Sequence, residues 1–275
     1  YDAMVRGEGK LRDDLLKAVD EAYDEAFSKE LETAFDDYIK KTYGEVNDEE
    51  IDEEYEYFYE EMKTTIPEER IKIDEPMKSH TTFRIGGPAK YFVIPETKEE
   101  IKAVIDCCKK AEMPYYILGN GSNLLVSDKG YEGVIIQIFK NMNQICLDGE
   151  EIKAQAGAIL SSVANKALEA ELTGFEFAAG IPGTLGGACV MNAGAYGGEM
   201  KDILVSCNHI DYSGNPGRLT GEQLGLSYRR SAYTDKYFVI TGITVKLQKG
   251  DKEEINAKMK DILQRRVDKQ PLDLP

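Results

Sequence analysis

The residue types in this chain that could do chemistry fall into a few short stretches, and glycine dominates the longest. Phe175-Glu-Phe-Ala-Ala-Gly-Ile-Pro-Gly-Thr-Leu-Gly-Gly-Ala-Cys-Val-Met-Asn-Ala-Gly-Ala-Tyr-Gly-Gly198 carries glycine at 180, 183, 186, 187, 194, 197 and 198, with Pro182 among them and Asn192 before the last group. Glycine in ordered structure is entropically costly, so this density marks backbone that takes unusual angles or lies against something flat. Ile181, Leu185, Val190 and Met191 make the segment too apolar for a flexible linker. Main-chain amides gathered around a ligand are the natural reading, and a phosphate-bearing cofactor is the ligand that suits them.

A second stretch, Leu118-Gly-Asn-Gly-Ser-Asn-Leu-Leu-Val126, closes a predicted strand with a tight turn of small residues whose amides suit a pyrophosphate. It is not the Gly-x-Gly-x-x-Gly fingerprint, because Leu124 stands at the third glycine position, and no Walker-type sequence occurs. An ordinary strand-to-strand turn would use the same residues. In Leu226-Ser-Tyr-Arg-Arg-Ser-Ala-Tyr233, two arginines offer planar forks of donors that match a carboxylate or a phosphate. Adjacent arginines also occur on plain solvated surfaces. In Ser79-His-Thr-Thr-Phe-Arg-Ile-Gly-Gly-Pro-Ala89, Gly86-Gly87-Pro88 forces a turn into a strand, and His80 reads as structural.

The elements that must position these residues follow from periodicity. Leu15, Val19, Tyr23, Phe27, Leu31, Phe35 and Ile39 recur every four residues and predict a helix over 11–43, followed by an acidic, tyrosine-bearing run over 45–61. Composition changes near Met62. Strands are expected at 89–94 and 115–118, with a helix between them begun by Thr97 and Glu100 at capping-box spacing. Further strands are expected at 133–138, 151–155, 203–207 and 237–247, and helices at 160–171 and 253–270. The domains so defined are 1–61, an acidic helical extension; 62–128, a small α/β unit; 129–250, a second, strand-rich unit; and 251–275, which begins with a linker helix.

Bulk composition bounds the function. The chain has 275 residues, enough for two or more compact units, and no apolar run of membrane-spanning length. No signal sequence opens it, so a cytoplasmic location is the default. Its first residue is Tyr, as expected of a fragment or a processed chain. A net charge of −16 argues against nucleic-acid binding. Cysteines at 107, 108, 146, 189 and 207 lack a Cys-x-x-Cys pair, and with His80 and His209 the only histidines, no metal site is expected.

Taken in order, His80-Thr-Thr-Phe, Gly119-Asn-Gly-Ser-Asn123, Ala179-Gly-Ile-Pro-Gly-Thr-Leu-Gly-Gly187, Met191-Asn-Ala-Gly-Ala-Tyr-Gly197 and Tyr228-Arg229 resemble the UDP-N-acetylenolpyruvoylglucosamine reductases. The resemblance covers roughly residues 62–275. The short spacing from Tyr228-Arg229 to the next strand is similar to that of the variant lacking a tyrosine-bearing insertion. It implies an α+β, two-subdomain FAD-binding fold of the vanillyl-alcohol-oxidase/PCMH type, with non-covalent FAD and with NADPH as reductant. The pyrophosphate would lie on the turn of Gly119, Asn120, Gly121, Ser122 and Asn123, with Leu124 a further cofactor-binding residue. The isoalloxazine would lie near Ala179, Gly180, Ile181, Pro182, Gly183, Gly186, Gly187, Asn192, Gly194, Ala195 and Tyr196.

The resemblance further implies a UDP-linked enolpyruvyl amino sugar as substrate, reduced to UDP-N-acetylmuramate in peptidoglycan precursor synthesis, and so a part in cell wall biogenesis, cell shape and cell division. Tyr228 and Arg229 would bind substrate. Arg229 would also be catalytic, its fixed charge stabilising the enolate formed beside the carboxylate. The family's proton-donating serine and late glutamate match no residue here, so 251–275 is expected to hold the linker helix and the start of a truncated substrate-binding third domain. The acidic extension is expected to be an appendage or a docking element for a protein partner. Another flavoprotein of the superfamily, acting on an alcohol or a sugar, and a non-catalytic flavin-binding module both stay open.

Overall fold

The computed structural model describes residues 48–269 apart from 235 and 237; the helix predicted over 11–43 lies outside them. The chain divides into two compact units, Tyr1–Tyr57 and Phe58–Pro275, and the second holds all the chemistry-bearing stretches. Helix α1, Asp48–Lys63, runs through the composition change at Met62. Phe58, Met62 and Ile66 follow a four-residue stripe, and each is only 1% exposed. The Phe58 ring meets Tyr91 at 5.1 Å between centroids.

The first sheet is built from β1 (Ile71–Pro76), β2 (Pro88–Val93), β3 (Tyr115–Leu118) and β4 (Tyr131–Gln137), in the order β1-β2-β4-β3. β4 lies parallel to both β2 and β3, with helix α2 (Lys98–Lys110) connecting β2 to β3. Covered on both faces, β4 reads as a continuous apolar run, Val134-Ile-Ile136, rather than an alternating one. Thr97 caps α2 as expected, its Oγ1 accepting from the Glu100 amide at 3.1 Å. Glu100 does not complete the capping box. Its carboxylate takes both arms of the Arg70 guanidinium, at 2.7 and 2.8 Å, a charge-assisted bidentate contact stronger than a neutral amide bond.

The second sheet takes β5 (Ile145–Asp148), β6 (Glu151–Gln155), β10 (Leu204–Ile210), β11 (Pro216–Thr220) and β12 (Val239–Lys246) in the order β11-β10-β12-β6-β5, antiparallel throughout. Between its strands the chain forms α3 (Leu160–Glu169), β7 (Leu172–Thr173), the short helix α4 (Leu185–Val190) and the hairpin β8 (Gly194–Ala195) to β9 (Gly198–Glu199). β13 (Gln248–Lys249) and α5 (Lys252–Lys269) follow. β5 and β11 were not expected from periodicity. Both are edge strands closed by hairpins whose turn signals are present: Gly149 at φ +61° after Asp148, and an Asp211 carboxylate accepting from the Ser213 and Asn215 amides, each at 2.8 Å. Half of the glycine-rich segment's centre is helical, because Thr184 caps α4 and Gly186 lets it sit on β6. A Cβ at Gly186 would lie 2.8 Å from the Ala156 Cβ.

Buried Ile255, Met259 and Ile262 hold α5 on the body beside α3 and the turn Glu176–Ala178. Glu176, 2% exposed, locks that turn: it accepts from the Thr173 hydroxyl at 2.5 Å and the Gly174 amide at 2.9 Å, and pairs with Lys258 of α5 at 3.3 Å. Burial alone would raise its carboxyl pKa; these donors outweigh burial and leave it below the ordinary range.

Candidate flavin cleft

A cleft of ≈ 660 Å³ opens where the loop after β3 faces the glycine-rich segment. Gly119 to Leu124 form one wall, and Gly180 to Thr184 with Gly187, Gly194, Ala195 and Tyr196 form the other. A second lobe of ≈ 650 Å³ shares Gly119, Thr184 and Gly187 with the first and continues past Gly186 to Lys236 and Phe238.

The 119–124 wall is held by a scaffold beneath it. Gly121 sits at φ +69°, and a Cβ there would come 1.8 Å from the His80 carbonyl, so only glycine fits. The Thr82 amide donates to the Gly121 carbonyl at 3.0 Å, and Gln137 Nε2 donates to the Gly119 carbonyl at 3.3 Å. His80 serves this scaffold: it bonds Glu75 at 2.7 Å and stacks on Phe92 at 4.0 Å, and it does not line the cleft. Across the gap, Ser122 Oγ donates to the Pro182 carbonyl at 2.7 Å. The amides of residues 120–124 donate to no group among the described residues. Successive amides without a partner on the wall of a cleft are of the kind that suits an anion.

The far wall ends in two turns with strained tips. Tyr196 and Gly197, both at positive φ (+52° and +88°), join β8 to β9 in the manner of a type I′ turn and hold Tyr196 at the cleft mouth. Ser227 and Arg230 exchange backbone hydrogen bonds of 3.0 and 3.1 Å around Tyr228 and Arg229. Arg229 stands at φ +56°. A non-glycine residue held there is strained, a feature that clusters at functional sites.

Most of the residues singled out in sequence meet here, and a few do not. Arg229 lines the first lobe, whereas Tyr228 points to solvent, 87% exposed, its ring 6.0 Å from the Arg229 guanidinium carbon. Gly186 lines the second lobe, and Ala179 and Asn192 line neither. Asn192 is buried at φ +43° and its amide is fully engaged: Nδ2 donates to Glu199 Oε2 at 2.7 Å and to the Ser227 carbonyl at 3.0 Å, and Oδ1 accepts from the Lys201 amide at 2.9 Å. Ser231 is buried, its hydroxyl donating to the Val190 carbonyl at 2.6 Å, which leaves it no role as a proton donor.

Sequence reading missed Arg266, which lines the first lobe from α5. Its signal in the sequence is faint, a tandem Arg265-Arg266 within the expected linker helix. Arg229 and Arg266 are the only charged side chains of the first lobe, and Lys236 is the only one of the second, among the described residues. In a chain with 50 acidic residues against 34 basic ones, a cleft free of carboxylates is built for anions.

The two-sheet architecture and this cleft define a flavoprotein of the two-subdomain FAD-binding class. Residues 89–219 match the family model described as FAD binding domain. A UDP-N-acetylenolpyruvoylglucosamine reductase of Alkaliphilus metalliredigens is 46% identical over 220 residues, covering 80% of this chain and 72% of that protein. The crystal structure of the same-named reductase from Thermus caldophilus is similar with TM-score 0.62 and 34% identity, over 73% of this chain and 70% of that one. A p-cresol methylhydroxylase structure shares the fold at TM-score 0.55 and 15% identity, over 72% of this chain and 44% of that one. The chain belongs to the UDP-N-acetylenolpyruvoylglucosamine reductase family.

Proposed function

We propose that this chain is an FAD-containing, NADPH-dependent reductase of the enolpyruvyl ether of a UDP-linked amino sugar, with Arg229 as the cation for the enolpyruvyl carboxylate. One observation carries the assignment of the site: among the described residues the amides of 120–124 have no hydrogen-bond partner, and the only charged side chains lining the cleft are cationic. The residues present fit FAD. The amides of 120–124 suit its pyrophosphate, and the bare backbone of Gly187, which borders both lobes, leaves room for a flat ring system. Bound there, FAD would supply the redox chemistry, hydride transfer between NADPH and the substrate's double bond.

The chain's own part is orientation and charge. Asn192 fixes the turn 227–230 against β9, and the strained backbone of Arg229 aims its guanidinium into the cleft. A cation beside the carboxylate gains interaction energy as negative charge builds toward an enolate, so it favours the transition state over bound substrate. Tyr228, exposed beside Arg229, is a contact for substrate outside the first lobe. Asn192 acts through Ser227 and Glu199 rather than by touching the cofactor.

Work at a UDP-linked intermediate supports a cytoplasmic location and a role in cell wall biogenesis, cell shape and division, and no described helix is long and apolar enough to cross a membrane. The acidic segment before Phe58 is a docking element for a protein partner in this reading. Reconstitution tests the function: the purified chain mixed with FAD takes on bound flavin absorbance, and NADPH bleaches it in a reaction that the UDP-enolpyruvyl sugar reverses. A protein that stays colourless after reconstitution rejects the assignment.

A further inference from the structure

We infer that Arg266 is a second anion anchor of the cleft, binding the diphosphate of a nucleotide ligand and leaving Arg229 for the carboxylate. The inference rests on the flavin-reductase reading only for the identity of the nucleotides that enter.

Register is the first argument. Ile255, Met259 and Ile262 form the buried stripe of α5, spaced four and three residues apart, and position 266 continues it by four. The stripe that holds the helix on the body therefore ends in a guanidinium. Val267 beside it is apolar and 57% exposed, so the charge stands on the inward face next to Ile262 while a hydrophobe faces outward. The arginine stem runs over Gly180, where a Cβ would meet its Cδ at 3.6 Å.

Partner accounting is the second argument. The neighbouring groups on α5 are engaged elsewhere: Arg265 pairs with Asp261 at 2.8 Å, and Gln264 donates to Asp268 at 2.8 Å. Among the described residues, Arg266 has no hydrogen bond or ion pair and no carboxylate lines the cleft it enters. A half-buried guanidinium without a counter-ion bears a desolvation cost that an incoming anion relieves. Its planar fork matches two phosphate oxygens at once. The free amides of 120–124 already provide for one pyrophosphate, and Arg266, on a different element, supplies donors for a further contact. FAD, NADPH and a UDP-sugar each carry the required diphosphate.

The test measures each source separately in Arg266→Ala, Arg266→Gln and Arg266→Lys. FAD is titrated into apoprotein by fluorescence, UDP into FAD-loaded protein by calorimetry, and NADPH is followed by the concentration dependence of flavin bleaching. Loss of a charge-assisted phosphate contact weakens one of the three ligands roughly ten- to hundred-fold in the alanine and glutamine variants. The other two ligands stay within about two-fold, the lysine variant recovers part of the loss, and the weakened ligand shows a shallower salt dependence. Unchanged affinity for all three overturns the inference, as does uniform weakening with a fall in melting temperature, which marks a structural role. Failure of the unsubstituted protein to take FAD would instead count against the flavin reading.

Discussion

Asn192 Nδ2 donates to the Ser227 carbonyl across 3.0 Å, and this bond ties the end of the glycine-rich segment to the turn that presents Arg229. The same amide nitrogen reaches Glu199 at 2.7 Å, whose carboxyl is held below the ordinary range by Lys201 first and by Asn192 in addition. Two loops from distant parts of the chain are thereby fixed by one buried side chain. The arginine's position is inherited from that bond.

Asn192→Gly tests the tie without disturbing the backbone, because glycine accepts the φ of +43°. It leaves the Ser227 carbonyl, the Glu199 carboxylate and the Lys201 amide without their partner. Turnover is expected to drop by roughly ten-fold, the order of one lost charge-fixing contact, with flavin content kept. Steady-state kinetics beside flavin absorbance checks this; unaltered turnover would show that Arg229 holds its place alone.

Arg229→Gly separates strain from chemistry. Glycine relieves a backbone held at φ +56°, worth about 1–3 kcal/mol, so the melting temperature holds or rises. The rate of substrate reduction falls by roughly 10²–10³, as expected for removal of one preorganised charge-stabilising group. Flavin reduction by NADPH is spared. A stable variant with full activity would remove Arg229 from the reaction.

Two glycine substitutions are expected to fail in different ways. In Gly121→Ala the new Cβ meets the His80 carbonyl and cannot be placed, so the turn and the melting temperature suffer together. In Gly187→Ala the Cβ meets nothing closer than Thr184 Oγ1 at 3.5 Å, and alanine favours the helix by about 0.5–1 kcal/mol. That variant should fold at least as well yet bind FAD more weakly, because its methyl group enters the cleft. Equal flavin affinity in Gly187→Ala would place the ring elsewhere.

Stability should fall on acidification in two stages. Burial lowers the His209 pKa, so the folded state keeps it neutral; its contribution is complete above the ordinary imidazole value of about 6.5 and is lost as pH falls below that. Glu176, also lowered, contributes above the ordinary carboxyl range of about 4.3, and that contribution is lost as pH drops through its folded value. Melting temperatures recorded from pH 8 to pH 3 should show both steps. His209→Phe is expected to flatten the upper one, and Glu176→Gln to reduce the lower one, which the lowered carboxyls of Glu75 and Glu100 share.

Local signals in the sequence were read correctly where local physics decides. Thr97 caps α2 because a side-chain oxygen three residues before an amide needs no distant help. Gly121 and Gly197 take the positive φ that only a residue without a Cβ adopts freely. The edge strands β5 and β11 escaped notice, since short edge strands carry little buried alternation, although the turns that close them were visible.

The sequence alone determined the glycine-walled cleft, because glycine spacing is a backbone property written residue by residue. Tertiary structure decided which side chains enter it. Asn192 turned inward to bind Glu199 and Ser227, His80 went beneath the turn to Glu75 and Phe92, and Arg266 arrived over Gly180 from the last helix. A side chain's environment is set by segments far away in the chain, and no local period or spacing encodes which of them will meet it.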